Sequence, residues 1–171
     1  MRTAAVKNLT INVVAATSTT EDRCILTNSS AGQYSTRVYI DNVTIDYSKV
    51  TTTAACYVIG NSSITYKTMG NYTKFSNVNI IAGSVNAASG NVFANVATSL
   101  GSVTFENTTV STTSTGALMS HVASSGANSG KYVAYYASND TLPTSGDGST
   151  AETPINVALT GITRTAYQAT V

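Results

Sequence analysis

The sequence predicts an all-β fold in which short strands stack on one another as a solenoid. Three observations lead to this prediction. β-branched residues and Tyr dominate while helix formers are scarce, a short unit centred on Asn recurs along the chain, and the unit returns at a nearly regular spacing. A repeat period of this kind is typical of solenoids, in which each turn buries its apolar face by stacking on the next.

The repeating unit is clearest in Val103–Val110, which reads Val-Thr-Phe-Glu-Asn-Thr-Thr-Val. The residues that share the apolar face of the strand are odd-numbered before Asn107, as Val103 and Phe105 are, and even-numbered after it. The alternation breaks once, so the chain has to bend at Asn107. Asn tolerates the left-handed backbone conformation better than almost any other non-glycine residue, and the unit therefore predicts a strand, an Asn bend and a second strand.

Eight copies of the unit lie between residues 6 and 124, each with an apolar residue two positions before its central residue. The spacings alternate between long and short, so two interleaved sets describe them better than one, and each set repeats about every 26 to 35 residues. We expect equivalent strands to stack in parallel about 4.8 Å apart. The central residues are Asn8, Asn42, Asn77 and Asn107 in the first set, and Asn28, Asn61, Asn95 and His121 in the second.

Segments such as Phe75–Ile80 (Phe-Ser-Asn-Val-Asn-Ile) and Val103–Val110 resemble the coils of right-handed parallel β-helix proteins, the pectate-lyase-like class and related surface-repeat proteins. The resemblance covers residues 6–139 and implies a single-domain parallel β-helix of about four to five coils. It also implies that stacked Asn side chains at a bend form an inward hydrogen-bonded ladder. The alternative is an antiparallel β-sandwich, in which neighbouring units pair as hairpins.

The C-terminal part of the chain has a different pattern. We assign residues 1–139 to the repeats, residues 140–154 to a flexible loop rich in Ser, Thr, Gly and Pro, and residues 155–171 to a β tail. The tail is expected either to cap the open end of the stack or to add as a strand to a neighbouring copy. Head-to-tail contacts of the second kind do not close on themselves, so they predict a helical fibre.

Charged residues are scarce. Asp, Glu, Lys and Arg make up 10% of the chain, where about a quarter is typical, and the net charge is +1. Without a basic run the sequence does not favour a nucleic-acid partner, and no segment has the length and apolarity of a membrane span. The low charge and the many Ser and Thr residues indicate an extracellular or cell-surface protein. Residues 1–7 have no secretory-signal pattern, so we expect a mature fragment, an excised module or another export route.

Asn-x-Ser/Thr sequons point to a glycoprotein. There are seven, at Asn8, Asn28, Asn42, Asn61, Asn71, Asn107 and Asn139. Five of them lie at predicted bends, where a buried ladder Asn cannot carry a sugar. Asn71 and Asn139 lie in predicted loops, and they are therefore the glycosylation candidates.

The two cysteines occupy nearly equivalent places in adjacent units, since Cys24 lies four residues before Asn28 and Cys56 lies five before Asn61. The spacing of neighbouring strands is within the range that a disulfide bridges, and an exported protein meets an oxidising environment. We therefore predict a disulfide between Cys24 and Cys56. The alternative is a pair of buried free thiols.

The sequence contains no recognisable catalytic, cofactor or metal site. The one histidine, His121, has no second His, carboxylate or thiol near it at ligand spacing, so a structural role at its bend is expected. One outward column of the predicted stack carries charge and hydroxyl groups: Lys7, Asp41, Ser76 and Glu106. Lys7 and Asp41 are neighbours in it, whereas Glu106 is two coils from Asp41, too far for paired acid–base chemistry.

These observations predict a non-enzymatic extracellular structural protein, an adhesin-like surface or fibre-forming module that assembles head to tail with copies of itself. No cofactor is expected. The alternative is a β-helix protein that binds or cleaves polysaccharide along one face, with glycans as partners. A face lined by several Tyr and acidic side chains would favour the alternative, and a uniform Ser/Thr face would favour the structural role.

Overall fold

The computed structural model of the protein describes residues 2–13, 23–26, 36–50, 56–59, 69–83, 100–123 and 126–169. Throughout these ranges the chain forms strands and loops and contains no helix, which confirms the all-β prediction for them. The strands are β1 (Arg2–Asn12), β2 (Arg23–Leu26), β3 (Thr36–Asp46), β4 (Cys56–Ile59), β5 (Met69–Gly83), β6 (Leu100–Glu106), β7 (Thr108–Thr112), β8 (Met119–Val122), β9 (Tyr132–Tyr136), β10 (Ile155–Ala158) and β11 (Ile162–Ala166).

The main sheet runs in the order β1-β3-β5-β7-β11, and β6 also pairs with β5. Strands β6 and β7 are the two halves of one bent strand, separated at Asn107, and they pair with successive parts of β5. Every pairing described in this sheet is parallel. The strands of the first repeat set therefore lie side by side in one direction, and they do not form the hairpins that a β-sandwich requires.

The register aligns these strands residue by residue. Val6 lies opposite Ile40, and the row continues through Phe75 to Phe105. Two residues further along each strand is an Asn with positive φ, between 45° and 54°, at positions 8, 42, 77 and 107. The left-handed conformation shifts the alternation of faces, so that Ile40 and Val43 are both buried although they are three residues apart.

Apolar rows on the buried face of the main sheet form the core. The rings of Phe75 and Phe105 stack across neighbouring strands with their centroids 5.3 Å apart, a separation that aromatic pairs favour. Complete burial of a side chain such as Phe75 stabilises the fold by about 1.5–3 kcal/mol. The other fully buried large side chains of the main sheet are Ile40, Val43, Ile45, Val78, Ile80, Val110 and Ile162.

In the described ranges, two smaller sheets accompany the main one. Strands β2 and β4 pair in parallel, and β9 lies between β10, to which it is parallel, and β8, to which it is antiparallel. The predicted bend at His121 belongs to β8, where His121 lies opposite Val133 in the antiparallel pair. The unit around His121 therefore departs from an all-parallel stack. The other members of the second set, Asn28, Asn61 and Asn95, lie outside the described residues.

The C-terminal tail folds onto its own chain. Strand β11 pairs with β7 and becomes the last strand of the main sheet, while β10 pairs with β9. Ile162, at the start of β11, is completely buried. The preceding loop, expected to be flexible, is held by internal hydrogen bonds: the Gly146 N–H donates to the Pro154 carbonyl (2.9 Å) and the Gly148 N–H donates to the Thr153 carbonyl (2.8 Å).

One buried hydroxyl in the core has no partner. Thr73 is 1% exposed and lies in a core-facing row between the partly buried Val38 and Val103, and within the described part of the chain its Oγ1 makes no hydrogen bond. An unpaired buried hydroxyl is unfavourable by about 1–3 kcal/mol. We therefore expect Thr73→Val to raise the free energy of unfolding by about 1 kcal/mol in a denaturant titration.

Thr108→Val is the matched control for this prediction. Thr108 is also buried in the sheet, but its hydroxyl donates to the Glu106 carbonyl at 3.2 Å. The same substitution at Thr108 is expected to lower the free energy of unfolding by about 1 kcal/mol, because it removes a hydrogen bond. If both variants changed stability in the same direction, the unpaired state of the Thr73 hydroxyl would be refuted.

Candidate functional site

The outer face of the main sheet carries the charged column that the sequence singles out. Lys7, Asp41, Ser76 and Glu106 lie in one row across β1, β3, β5 and β6. Lys7 Nζ is 3.7 Å from an Asp41 carboxylate oxygen. Glu106 pairs instead with Lys74, whose Nζ is 2.6 Å from Glu106 Oε2. The sequence does not indicate this pair, because Lys74 lies in the adjacent outer row, two residues before Ser76.

Glu106 is held in its ionised form. The hydrogen bond and the positive charge of Lys74 lower the pKa of Glu106 below its ordinary value, and the Ser76 hydroxyl, which donates to Oε2 at 3.4 Å, adds to this effect. A general acid near neutral pH needs the opposite shift. Asp41 and Glu106 are also two strand spacings apart, or about 10 Å. The row is therefore a set of solvated ion pairs, which contribute little to stability.

A ladder of Asn side chains runs beside the charged row, at the bends. Asn42 Nδ2 donates to Asn8 Oδ1, and Asn107 Nδ2 donates to Asn77 Oδ1, both at 2.8 Å. Between these two pairs, Asn77 Nδ2 donates to Asp41 Oδ1 at 3.2 Å. The ladder is exposed, so the expected inward direction is wrong. At each bend the Asn and the residue before it, such as Asp41, face outward, whereas the residue after it, such as Val43, faces the core.

Substitution of Asn77 separates the backbone contribution from the side-chain contribution at a bend. Asn77→Ala removes the amide and places a Cβ-bearing residue at φ 53°, so we expect a loss of about 1–3 kcal/mol in the free energy of unfolding. Asn77→Gly removes the same amide but adopts this φ without steric cost, and is expected to lose less. Thermal unfolding measures both variants, and equal losses would show that the left-handed backbone contributes nothing.

Of the two sequon candidates, both predicted to lie in loops, Asn139 does so and Asn71 does not. Asn71 belongs to strand β5, near the shift in its register with β6, and does not lie in a loop. Asn139 lies in the turn after β9, and its amide is used by the fold: Nδ2 donates to the Arg164 carbonyl (2.9 Å) and Oδ1 accepts from the Arg164 N–H (2.8 Å). The described bend sequons are exposed and not buried, at Asn8, Asn42 and Asn107.

The two cysteines lie in the short parallel pair of β2 and β4. The backbone register places Cys24 opposite Tyr57 and Cys56 opposite Arg23, so the two cysteines are one residue out of register. Their side chains lie outside the described part of the structure, and the disulfide stays a prediction. Intact mass after alkylation tests it, because a bridged protein takes up two labels only after reduction.

The most extensive charged contact among the described residues links the C-terminal tail to two loops. Arg164 and Asp140 are only 10% and 11% exposed. Arg164 donates from Nε to Asp140 Oδ1 (2.8 Å) and from Nη2 to Asp140 Oδ2 (2.8 Å). Its Nη1 donates to the Ser114 carbonyl (2.6 Å) and its Nη2 also donates to the Gly116 carbonyl (2.7 Å). The guanidinium thus joins β11 to the segment after β7 and to the turn after β9.

The outer edge of β11 is closed by that same turn. In a parallel sheet, alternate residues of an edge strand point both backbone groups away from their neighbour. The Ile162 carbonyl accepts from the Ser138 N–H at 2.8 Å, and the Asn139 amide bonds both backbone groups of Arg164. The Asn139 side chain thereby occupies the place of a further strand, so another strand cannot pair with this edge.

The described residues offer few ligand-binding features. Among them, no three His, Cys, Asp or Glu side chains are grouped so that they would hold a metal ion. Over the same ranges, no helix has the length and apolarity to cross a membrane. No protein-family model matches the chain, and no curated protein or solved structure is significantly similar to it.

Proposed function

We propose that the protein is a non-enzymatic structural module of an extracellular surface, built as a single-domain parallel β-helix. The observation that supports this proposal most is the in-register row of β1, β3, β5, β7 and β11, with an Asn bend in the repeat strands. Continuous main-chain ladders, apolar rows and an Asn ladder make such a stack stiff along its length. The resemblance of the repeat units to β-helix coils supports the same architecture.

The outer face of the sheet agrees with a structural role. Its second row is almost uniform in hydroxyl groups, and within it the Thr109 hydroxyl donates to Asn79 Oδ1 at 2.8 Å. A row of short polar side chains on the outer face of a sheet is a solvated surface. The members of the row are Thr10, Thr44, Asn79, Thr109 and Thr163.

A polysaccharide-binding protein is the second candidate. The observation that favours it is the position of Tyr39, which lies on the same outer face as Asp41 and Glu106 and in one row with Lys74. An aromatic ring beside carboxylates is a common way to hold a sugar. Against it, Lys7 and Lys74 already pair with these two carboxylates, and the fixed strand spacing keeps the acids apart.

A polysaccharide panel distinguishes the two candidates. Under the structural proposal, native electrophoresis through gels that contain soluble polysaccharides shows no retardation of the protein, and incubation releases no reducing ends. Asp41→Asn and Glu106→Gln are the informative variants, because both residues are exposed or half-exposed and lie outside the core. Retardation or cleavage that either substitution abolishes would contradict the structural proposal and favour the second candidate.

The route of assembly expected from the sequence has no support in the geometry. A head-to-tail fibre needs either a tail that leaves the molecule or a free edge at the last strand. The tail is instead the last strand of its own sheet, and the edge of that strand is closed by Ser138 and Asn139. Assembly, if it uses the main sheet, has to use the opposite end.

A further inference from the structure

Among the residues that the structure describes, the opposite end of the main sheet is open. In the described part of the chain β1 pairs with β3 on one side and with no strand on the other. Leu9 is 48% exposed, although the equivalent positions Val43 and Val78 in the next two strands are buried. Val6 and Ile11 are partly buried against the core. The end of the stack therefore presents an apolar cross-section together with a strand edge.

The hydrogen-bonding pattern of the sheet shows which residues of β1 point their N–H and C=O groups to the open edge. Along the sheet, residues whose side chains face the core donate their N–H to the following strand, as Val13 does to the Asp46 carbonyl and Tyr47 to the Ile81 carbonyl, both at 2.8 Å. The residues between them point both backbone groups to the preceding strand. For β1 that direction is the open edge. The residues concerned are Thr3, Ala5, Lys7, Thr10 and Asn12.

Because of the bend, the order of core-facing and outward residues in β1 is the same in both directions from its centre. The outer residues Lys7 and Asn8 form its centre, the core-facing Val6 and Leu9 lie on either side, and the core-facing Ala4 and Ile11 follow. A second β1 that runs antiparallel to the first therefore fits with its bend at the same place. In this register the core-facing Val6 lies opposite Leu9 of the partner subunit, and Ala4 lies opposite Ile11 of the partner subunit.

The same register also pairs the backbone N–H and C=O groups at the open edge. Thr3 lies opposite Asn12 of the partner subunit, and Ala5 lies opposite Thr10 of the partner subunit. All four residues point their N–H and C=O groups to the open edge, so they form the hydrogen-bonded pairs of an antiparallel ladder. Lys7 faces Asn8 of the partner subunit and not a second lysine, and each Lys7 keeps its own Asp41.

Other arrangements of two copies fit less well. A shift by one residue places Val6 opposite Thr10 of the partner subunit, which sets a core-facing side chain against an outward one and leaves the edge peptide groups without partners. A shift by two residues separates the two bends. Parallel addition of β1 to β11 of another copy is prevented by Asn139, whose amide occupies the backbone of Arg164.

We propose that two copies of the chain form a closed dimer by antiparallel pairing of their β1 strands about the bend at Lys7 and Asn8. The interface is isologous, so it uses one surface twice and does not propagate into a filament. The proposal deepens the structural function by naming a second copy as the partner, and it rests on that function for its biological role only. Its geometry stands on the open edge, the reversal symmetry of β1 and the closed edge of β11.

Sedimentation equilibrium of the full chain over a range of concentrations tests the dimer. We expect a monomer–dimer equilibrium that Leu9→Lys weakens at least about tenfold, because the substitution places a charge in the centre of the interface. Leu142→Lys is the matched control: Leu142 is 39% exposed in a loop outside the sheet, and its substitution is expected to leave the equilibrium unchanged. Thermal unfolding confirms that both variants keep the fold.

Cysteine cross-linking tests the register. Val6 and Leu9 of the partner subunit form a pair without hydrogen bonds, whose Cα atoms are about 4.5 Å apart, and this separation suits a disulfide. Val6→Cys chains mixed with Leu9→Cys chains are expected to form a disulfide-linked dimer on oxidation, whereas each variant alone gives only the background of the unsubstituted chain. The unsubstituted chain is the control for any intermolecular disulfides that Cys24 and Cys56 form.

Three results would overturn the dimer: a monomer at every concentration, growth into larger oligomers, or a dimer that tolerates Leu9→Lys as well as it tolerates Leu142→Lys. Cross-linking of Val6→Cys alone or Leu9→Cys alone, at the level of the mixture, would overturn the register. Polysaccharide retention or cleavage would overturn the structural function and leave the dimer in place. A strictly monomeric chain that neither binds nor cleaves polysaccharide would overturn the dimer and leave the structural function in place.

Discussion

Replacement of Arg164 by Met is expected to lower the free energy of unfolding by about 3–5 kcal/mol, the usual consequence of removing one partner from a buried ion pair. The substitution leaves the Asp140 carboxylate, which is 11% exposed, without its cation. It also leaves the carbonyls of Ser114 and Gly116 without their donor. Met conserves much of the side-chain volume, so the loss reflects charge and hydrogen bonding more than packing.

The exposed pair of Lys7 and Asp41 supplies the matched control. Lys7→Met removes a lysine that is 56% exposed and whose Nζ lies 3.7 Å from its partner. An exposed pair of this kind contributes at most about 1 kcal/mol. Urea titrations of both variants measure the contrast. If Arg164→Met were as mild as Lys7→Met, the guanidinium would not be what holds the tail in place.

Replacement of Gly161 by Ala is expected to lower the free energy of unfolding by about 3–5 kcal/mol, in the range of the most disruptive single substitutions. Gly161 immediately precedes β11, and a methyl group there would collide with the carbonyl oxygen of Phe105. Its φ of 73° is also unfavourable for Ala. Because the Thr108 N–H donates to the Gly161 carbonyl at 3.0 Å, the clash separates β11 from β7 at their first contact.

Gly126→Ala isolates the conformational part of this effect. Gly126 has a φ of 77°, close to that of Gly161, but an added Cβ would have no neighbour within 4 Å. The cost is then that of the left-handed conformation alone, about 1–2 kcal/mol. Denaturant titration gives the two losses, and limited proteolysis reports whether the tail is released in Gly161→Ala. Equal losses would contradict the close approach of Gly161 to Phe105.

The repeat strands of the main sheet are predictable from the sequence because two local signals coincide in them. The change of parity at Asn107, repeated at Asn8, Asn42 and Asn77, marks the bends, and the similar spacing of these residues places them in one row. The outward direction of the ladder is not a local property. It depends on which side of each bend meets the core, and this follows only from the packing of the whole sheet.

The contacts that hold β11 at the end of the sheet are not predictable in this way. Arg164 and Asp140 are 24 residues apart and belong to no repeat, so neither periodicity nor motif spacing connects them. In the sequence Asn139 is recognisable only as part of a sequon, whereas in the structure its amide closes the edge of β11. For the charged row, the sequence predicts the proximity of Lys7 and Asp41 through register, but the pairing of Glu106 with Lys74 depends on side-chain conformation.

Nuclear Overhauser effects between methyl groups of a selectively methyl-labelled sample test whether the repeat strands form one parallel sheet in register. We expect contacts from Ile11 to Ile45, from Ile45 to Ile80 and from Ile80 to Val110, in that order, because these residues are successive members of one core row about 4.8 Å apart. Absence of this chain of contacts, or backbone contacts typical of antiparallel pairing between β3 and β5, would contradict a parallel sheet in register.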